Sequence, residues 1–135
     1  MSEWNSGIID EFKANDGAVG GIFEGKPLLL LHHTGAKTGR ERVSPLMYQL
    51  VDGAYAVFAS KGGADANPDW FHNLVANPDV SIEVGSDKID VKARVAEGEE
   101  RKRIWERQKQ EFPQFAGYEQ KTSRDHIPVV VLDPV

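Results

Sequence analysis

The chain has 135 residues, about one domain by length, and its 40% hydrophobic and 27% charged side chains suit a folded globular protein rather than a disordered one. Acidic residues outnumber basic ones, 21 to 16, for a formal charge of −5, which disfavours a general nucleic-acid binder because duplex affinity comes largely from Lys and Arg on phosphates. Zero cysteines exclude disulfides, thiolate zinc sites, iron–sulfur clusters and a cysteine nucleophile, and make a reducing cytosol the easiest setting.

The opening residues have neither a basic n-region nor an apolar h-region, so no secretory signal is visible. The longest apolar run, Leu28 to Leu31, falls far below the roughly 20 residues that span a bilayer. Ile8, Ile9 and Phe12 lie on one face at helical spacing. We expect this first helix to pack on its own domain; a weak peripheral membrane contact is the alternative. Gly17 and the pair Gly20-Gly21 mark irregular backbone. The helix and linker are assigned to residues 1–22 and a single domain to residues 23–135.

Pro27 opens an apolar strand that ends at His32-His33, followed by a small-residue loop, Thr34-Gly35-Ala36-Lys37-Thr38-Gly39. Arg42 to Val51 reads as strand, although Pro45 demands an edge position, a bulge or a late start. Asp52-Gly53 is a two-residue hairpin signal, with Tyr55 to Ser60 as the returning strand. Asn67-Pro68-Asp69-Trp70 predicts a helix start capped by Asn67, with Trp70, Phe71, Leu74 and Val75 as the apolar stripe and Asn77-Pro78 as the stop. Val80, Ile82 and Val84, then Ile89, Val91, Ala93 and Val95, alternate with polar residues, the pattern of an antiparallel sheet wet on one face. Glu97 to Phe112 predicts an amphipathic helix anchored by Ile104, Trp105, Gln108 and Phe112 and broken by Pro113 and Gly117. Pro128 to Leu132 is a last short strand. This order, with mostly antiparallel strands whose edges must be hidden, predicts a small antiparallel barrel decorated by helices.

The most unusual stretch is Gly35 to Arg42, where Lys37, Arg40 and Arg42 stand against only Glu41 in a loop with two glycines. Glycine lets backbone N–H groups approach an anion, and clustered cations supply the attracting field. A Walker loop is refused, because Ala36 stands where that motif needs glycine and the next residues read as strand. A second loop, Ser60-Lys61-Gly62-Gly63, also offers a hydroxyl, a cation and exposed backbone donors. Together they point to an elongated ligand with anionic groups at one end. Adjacent His32 and His33 face opposite sides of a strand and cannot share a metal without distortion. His72 and His126 stand alone, and no metal site or Ser/His/Asp arrangement emerges. Phe112, Phe115 and Tyr118 cluster after the long helix, as core packing or as a cover over a pocket.

On these residues the chain resembles the deazaflavin-dependent nitroreductase family, split-barrel proteins that use coenzyme F-420. The resemblance runs from about Pro27 to Pro134 and rests on Thr34 to Gly39, Arg42-Val43-Ser44-Pro45-Leu46, Ala59-Ser60-Lys61-Gly62-Gly63, Asn67 to Leu74, and Ala76-Asn77-Pro78, in that order. It implies a split antiparallel barrel and hydride transfer from the reduced deazaflavin to an electron-poor acceptor: a quinone, an enone or a nitroaromatic. It further implies that Lys37 and Arg42, with Thr38 and Gly39, hold the phosphate and oligoglutamate tail. Ser60, Lys61 and Asn73, with Ala59, Gly62 and Trp70, would line the deazaflavin, and Pro45, Leu46, Met47 and Tyr48 would border its groove. Phe115 and Tyr118 would cover the substrate side; the proton would come from Tyr118, Ser60 or water, with Tyr118 and Ser60 otherwise positioning the substrate. Two rival expectations are the same barrel binding FMN and a non-catalytic deazaflavin carrier.

Overall fold

A computed structural model describes residues 3–15, 17–20 and 27–135. Helix α1 (Glu3–Ala14) precedes strands β1 (Leu28–Thr34), β2 (Glu41–Val51) and β3 (Ala54–Phe58). Helix α2 (Asp69–Ala76), strands β4 (Asp79–Val84) and β5 (Asp87–Val95), helices α3 (Gly98–Glu111) and α4 (Gln114–Lys121), and strand β6 (Val129–Pro134) complete the chain. All strand pairs are antiparallel and close into a barrel in the order β1-β2-β3-β6-β5-β4. Gly21 of the expected glycine pair, and the boundary placed at 22/23, lie outside the described residues.

Alternation along the strands sorts side chains between three cores. Leu29 and Leu31 of β1, Val57 of β3, Ile82, Val91, Val130 and Leu132 fill the barrel, and α2 plugs one mouth with Trp70 and Leu74. The opposite faces of β3 and β6, Ala54, Ala56, Phe58, Val129 and Val131, are covered by Ile104 and Trp105 of α3 and Phe115 of α4. Strand β6 is therefore apolar on both sides, which explains its unbroken Val129-Val130-Val131-Leu132 run. On the third side, Ile8, Ile9 and Phe12 are buried with Val19 against Leu28 and Leu30. The face considered for a membrane contact is thus covered by the protein's own barrel. No described helix is long and apolar enough to cross a membrane.

Two local expectations need correction. Asn67 does not cap α2: the helix begins after Pro68 without a side-chain cap, and Asn67 Oδ1 instead accepts a hydrogen bond from Arg124 Nη1 at 2.6 Å. The long helix does end before Pro113, as expected, but the segment after it, Gly117 included, is a second helix, α4. Pro113, with φ −57°, serves as its N-cap, where a missing N–H costs nothing.

Strand β2 is paired unequally on its two sides. Its ladder with β3 runs only from Val51↔Ala54 to Tyr48↔Val57, whereas its ladder with β1 continues to Glu41↔Thr34. Glu41 to Met47 is consequently paired on one side alone, and the barrel is split there. Tyr48 N–H donates to Pro27 carbonyl at 3.2 Å, which sets the alternation: even-numbered residues of this stretch direct their backbone groups at β1, odd-numbered ones outward. Pro45 falls on an outward position, where no ladder requires the N–H it lacks.

Candidate cofactor site

Because β2 and β3 are antiparallel, the start of β2 and the end of β3 lie at the same end of the barrel, and both glycine-rich loops sit there. The first, residues 35–40, is a tight turn closed by Gly35 N–H to Arg40 carbonyl at 2.8 Å and Gly39 N–H to Gly35 carbonyl at 2.9 Å. It leads into β2, not into a helix, in keeping with the rejected Walker reading. Between this loop and α2 lies a cavity of about 600 Å³, lined by Lys37, Thr38, Arg42, Asp69, His72 and Asn73 among others. A second cavity of about 500 Å³ shares Arg42 and Asp69 and adds Arg40, Val43, Ser44 and Trp70. Among the described residues, Lys37, Arg40, Arg42 and Lys61 form no ion pair within 4 Å. One end of an acidic protein thus gathers Lys37, Arg40 and Arg42, none held in an ion pair, around an open groove where they outnumber the carboxylates of Glu41 and Asp69, a net positive field that attracts anions.

The second loop takes a left-handed turn. Ser60 is right-handed helical, followed by Lys61 (φ 47°), Gly62 (φ 63°) and Gly63 (φ 84°). A left-handed lysine is unfavourable by about 1–2 kcal/mol; Gly63 N–H and Ala64 N–H close the turn onto the Ser60 and Lys61 carbonyls, and a right-to-left-handed succession is the kind of backbone that forms anion-binding nests. The turn is held from behind. Arg124 donates to the Ala59 and Ser60 carbonyls, both at 2.9 Å, as well as to Asn67; Thr122 Oγ1 donates to Ala64 carbonyl at 2.7 Å; and Ser123 N–H donates to Asp65 Oδ1 at 2.8 Å. Gly63 packs against the Tyr118 backbone and Lys121 Cβ, which seats the turn on α4. Arg124 is the support of this turn that sequence reasoning missed. It stands in an irregular polar segment with no periodic or motif signal.

Not every expected contact residue faces the groove. Ala59 is fully buried and Trp70 is 7% exposed, both in the barrel core, so Trp70 contributes at most an edge to the second cavity. Phe115 is buried edge-on against Phe58, Trp105 and Tyr118. It supports Tyr118 from beneath, and its ring is core. Leu46 and Tyr48 point to the barrel side of β2, while Met47 points to the outer side. Asn73 lines the first cavity but is mostly buried, and its polar atoms are committed to the protein: its Oδ1 accepts Ala36 N–H at 2.8 Å and its Nδ2 meets His33 Nδ1 at 2.9 Å. Gly62 and Gly39 have open space where a Cβ would project.

The two adjacent histidines separate as the strand geometry requires. His32 uses both ring nitrogens on the outer face, with Glu41 at 2.8 Å and Glu83 at 2.5 Å. His33 is buried at the mouth, its Nε2 2.9 Å from Ser44 Oγ. Among the described residues no group of three His, Asp or Glu is placed to hold a metal ion. Burial, reinforced by the positive charge of Arg42 and His32 against the opposing pull of Asp69, pushes the His33 pKa down from 6.5 to about 4. The sign of the consequence is fixed. Between those values the unfolded chain binds a proton that the folded one refuses, so stability present above pH 6.5 is lost as pH falls toward 4. The loss should approach about 3 kcal/mol. Thermal melts at stepped pH should show the wild-type Tm falling more steeply across this window than that of His33→Asn; parallel curves would reject the assignment.

A family model described as F420H(2)-dependent quinone reductase matches residues 7–134. An F420H(2)-dependent quinone reductase of Mycobacterium tuberculosis is 40% identical over 125 residues, covering 90% of this chain and 83% of that protein. The solved structure of an F420-H2 dependent reductase superposes with a TM-score of 0.72 at 42% identity, over 79% of this chain and 94% of that one. A second solved structure, described as a domain-swapped dimer, gives 0.74 at 39% identity over 95% and 93%. A haem storage protein from Vibrio cholerae, at 19% identity and 0.63, shares the fold alone.

Proposed function

The chain belongs to the F420H(2)-dependent quinone reductase family, and from that premise we propose how its residues divide the work of binding reduced coenzyme F-420 and a quinone. It is an F-420-dependent oxidoreductase whose acceptor is a quinone. When bound, the reduced deazaflavin supplies a hydride. The residues present fit such a group: unpaired cations for an anionic tail, a one-sided strand edge for a planar heterocycle, and cavities of about 600 and 500 Å³, within the range of small-molecule sites.

Lys37 and Arg42 grip the phosphate and carboxylates of the tail, with Arg40 at the groove's far side and Thr38 and Gly39 completing the loop. The outward backbone of Val43, Pro45 and Met47, together with the Ser60–Gly62 turn, borders the ring. Ser60, which opens that turn, and Tyr118, whose backbone packs on it, are the residues we assign as proton donors to the quinone oxygen. Holding both reactants in one groove lowers the barrier chiefly through alignment.

The observation that carries this reading is the cluster of unpaired cations lining a groove beside an unpartnered stretch of β2. Fluorescence titration with F-420 should saturate, whereas FMN should give no saturable change in the same range. Affinity for F-420 should fall steeply with added salt, because solvent-exposed charge pairs are screened beyond about 10 Å at 0.1 M. Salt-insensitive binding, or tighter binding of FMN, would move the ligand elsewhere. Oxidation of reduced F-420 that depends on added quinone separates catalysis from mere carriage.

A further inference from the structure

Four groups form an unbroken hydrogen-bonded chain across the mouth of the barrel, with Asn73 and His33 buried at its centre and Ala36 and Ser44 at its more exposed ends. Asn73 Oδ1 already accepts Ala36 N–H, so the amide orientation is fixed and its Nδ2 must donate to His33 Nδ1. His33 Nδ1 is then an acceptor, its proton resides on Nε2, and Nε2–H donates to Ser44 Oγ. The chain thus links the cationic loop, through α2 and β1, to the β2 wall of the second cavity, which Ser44 and His33 both line. Ala36 N–H has no backbone acceptor of its own, unlike Gly35 and Gly39, whose N–H groups close the turn.

We propose that His33 and Asn73 are positioning residues: they lock the 35–40 loop onto α2 so that Lys37 meets the anionic tail, and they orient Ser44 so that its O–H is directed into the groove as a donor. The two functions follow from one arrangement. With its oxygen accepting from His33, the Ser44 hydroxyl retains a proton with the cavity before it. With Asn73 holding Ala36, the loop cannot swing its lysine away without leaving the side-chain oxygen of buried Asn73 unsatisfied, and that penalty keeps the loop docked. This inference rests on the assignment of Lys37 and Arg42 to the tail, and its test is built to fail separately from that assignment.

Asn73→Ala should speed hydrogen exchange at the Ala36 amide by at least about tenfold, measured on the protein alone, while β5 amides keep their protection. Its Kd for F-420 should rise about tenfold, and its Kd for 8-hydroxy-5-deazaflavin bearing only a ribityl chain should stay within about twofold. His33→Phe should reproduce both effects and reads the same question if Asn73→Ala does not fold. His33→Asn, which restores an acceptor near the Nδ1 position, should recover much of the Ala36 protection. Unchanged exchange at Ala36, or parallel weakening of both deazaflavins, overturns the positioning role. A wild-type protein that discriminates neither by affinity nor by salt overturns the tail assignment first.

Discussion

Replacing both Lys37 and Arg42 with alanine is expected to weaken F-420 binding by about 100-fold or more, since each charge-assisted hydrogen bond contributes roughly 1.5–3 kcal/mol. Both side chains line the same cavity and neither is committed to an ion pair, so their removal leaves no buried partner unsatisfied. Tm should therefore move little, or rise as like charges are relieved. Titration at low and moderate salt checks the origin of the loss: the double variant should also lose most of the wild-type salt dependence. A variant that binds F-420 as tightly as wild type, or one that simply unfolds, would show that these cations serve another purpose.

Gly63→Val should be the most damaging single change to the fold near the site. A Cβ on Gly63 would lie 3.1 Å from both Tyr118 Cα and its carbonyl oxygen and 3.2 Å from Lys121 Cβ, at a φ of 84°. Backbone cannot yield as a flexible side chain can, and a β-branched residue is a genuine outlier at positive φ. We expect a destabilisation of about 3–5 kcal/mol, from left-handed strain together with overpacking. Gly62→Ala supplies the comparison, because its φ is also positive but nothing lies within 4 Å of the added carbon. It should lose only about 1 kcal/mol, the conformational part alone. Equal Tm values for the two variants would mean that α4 does not press on the turn.

Much of this architecture was legible because strand alternation and turn chemistry report directly on burial. Asp52-Gly53 gave the hairpin, and the structure confirms both residues at positive φ, 50° and 82°. What escaped the sequence depends on partners remote along the chain. Gly117 looked like a breaker, yet on α4 it is exposed with nothing near it, where glycine lowers helix stability by only about 1 kcal/mol. Phe115 could have been lid or core, and only the arrangement of Phe58 and Trp105 decides for core. Asn67 had every local qualification for a cap, but Arg124, 57 positions away, claims its oxygen. Asn73 likewise carried a polar side chain on a helix beside a groove, and no pattern could indicate that both ends of its amide are committed inward.

The placement of Pro45 bears on how such a protein survives between encounters with its ligand. An exposed strand rim invites a neighbouring molecule to add its own strand, the first step of edge-to-edge aggregation. Along the outward row of β2, proline deletes the central donor, so an intruding chain could never complete a continuous hydrogen-bonded seam. The same vacancy is harmless to a flat heterocycle, which needs only a few contacts and a smooth wall. One residue can thereby leave the cleft open to small molecules while denying it to other polypeptides.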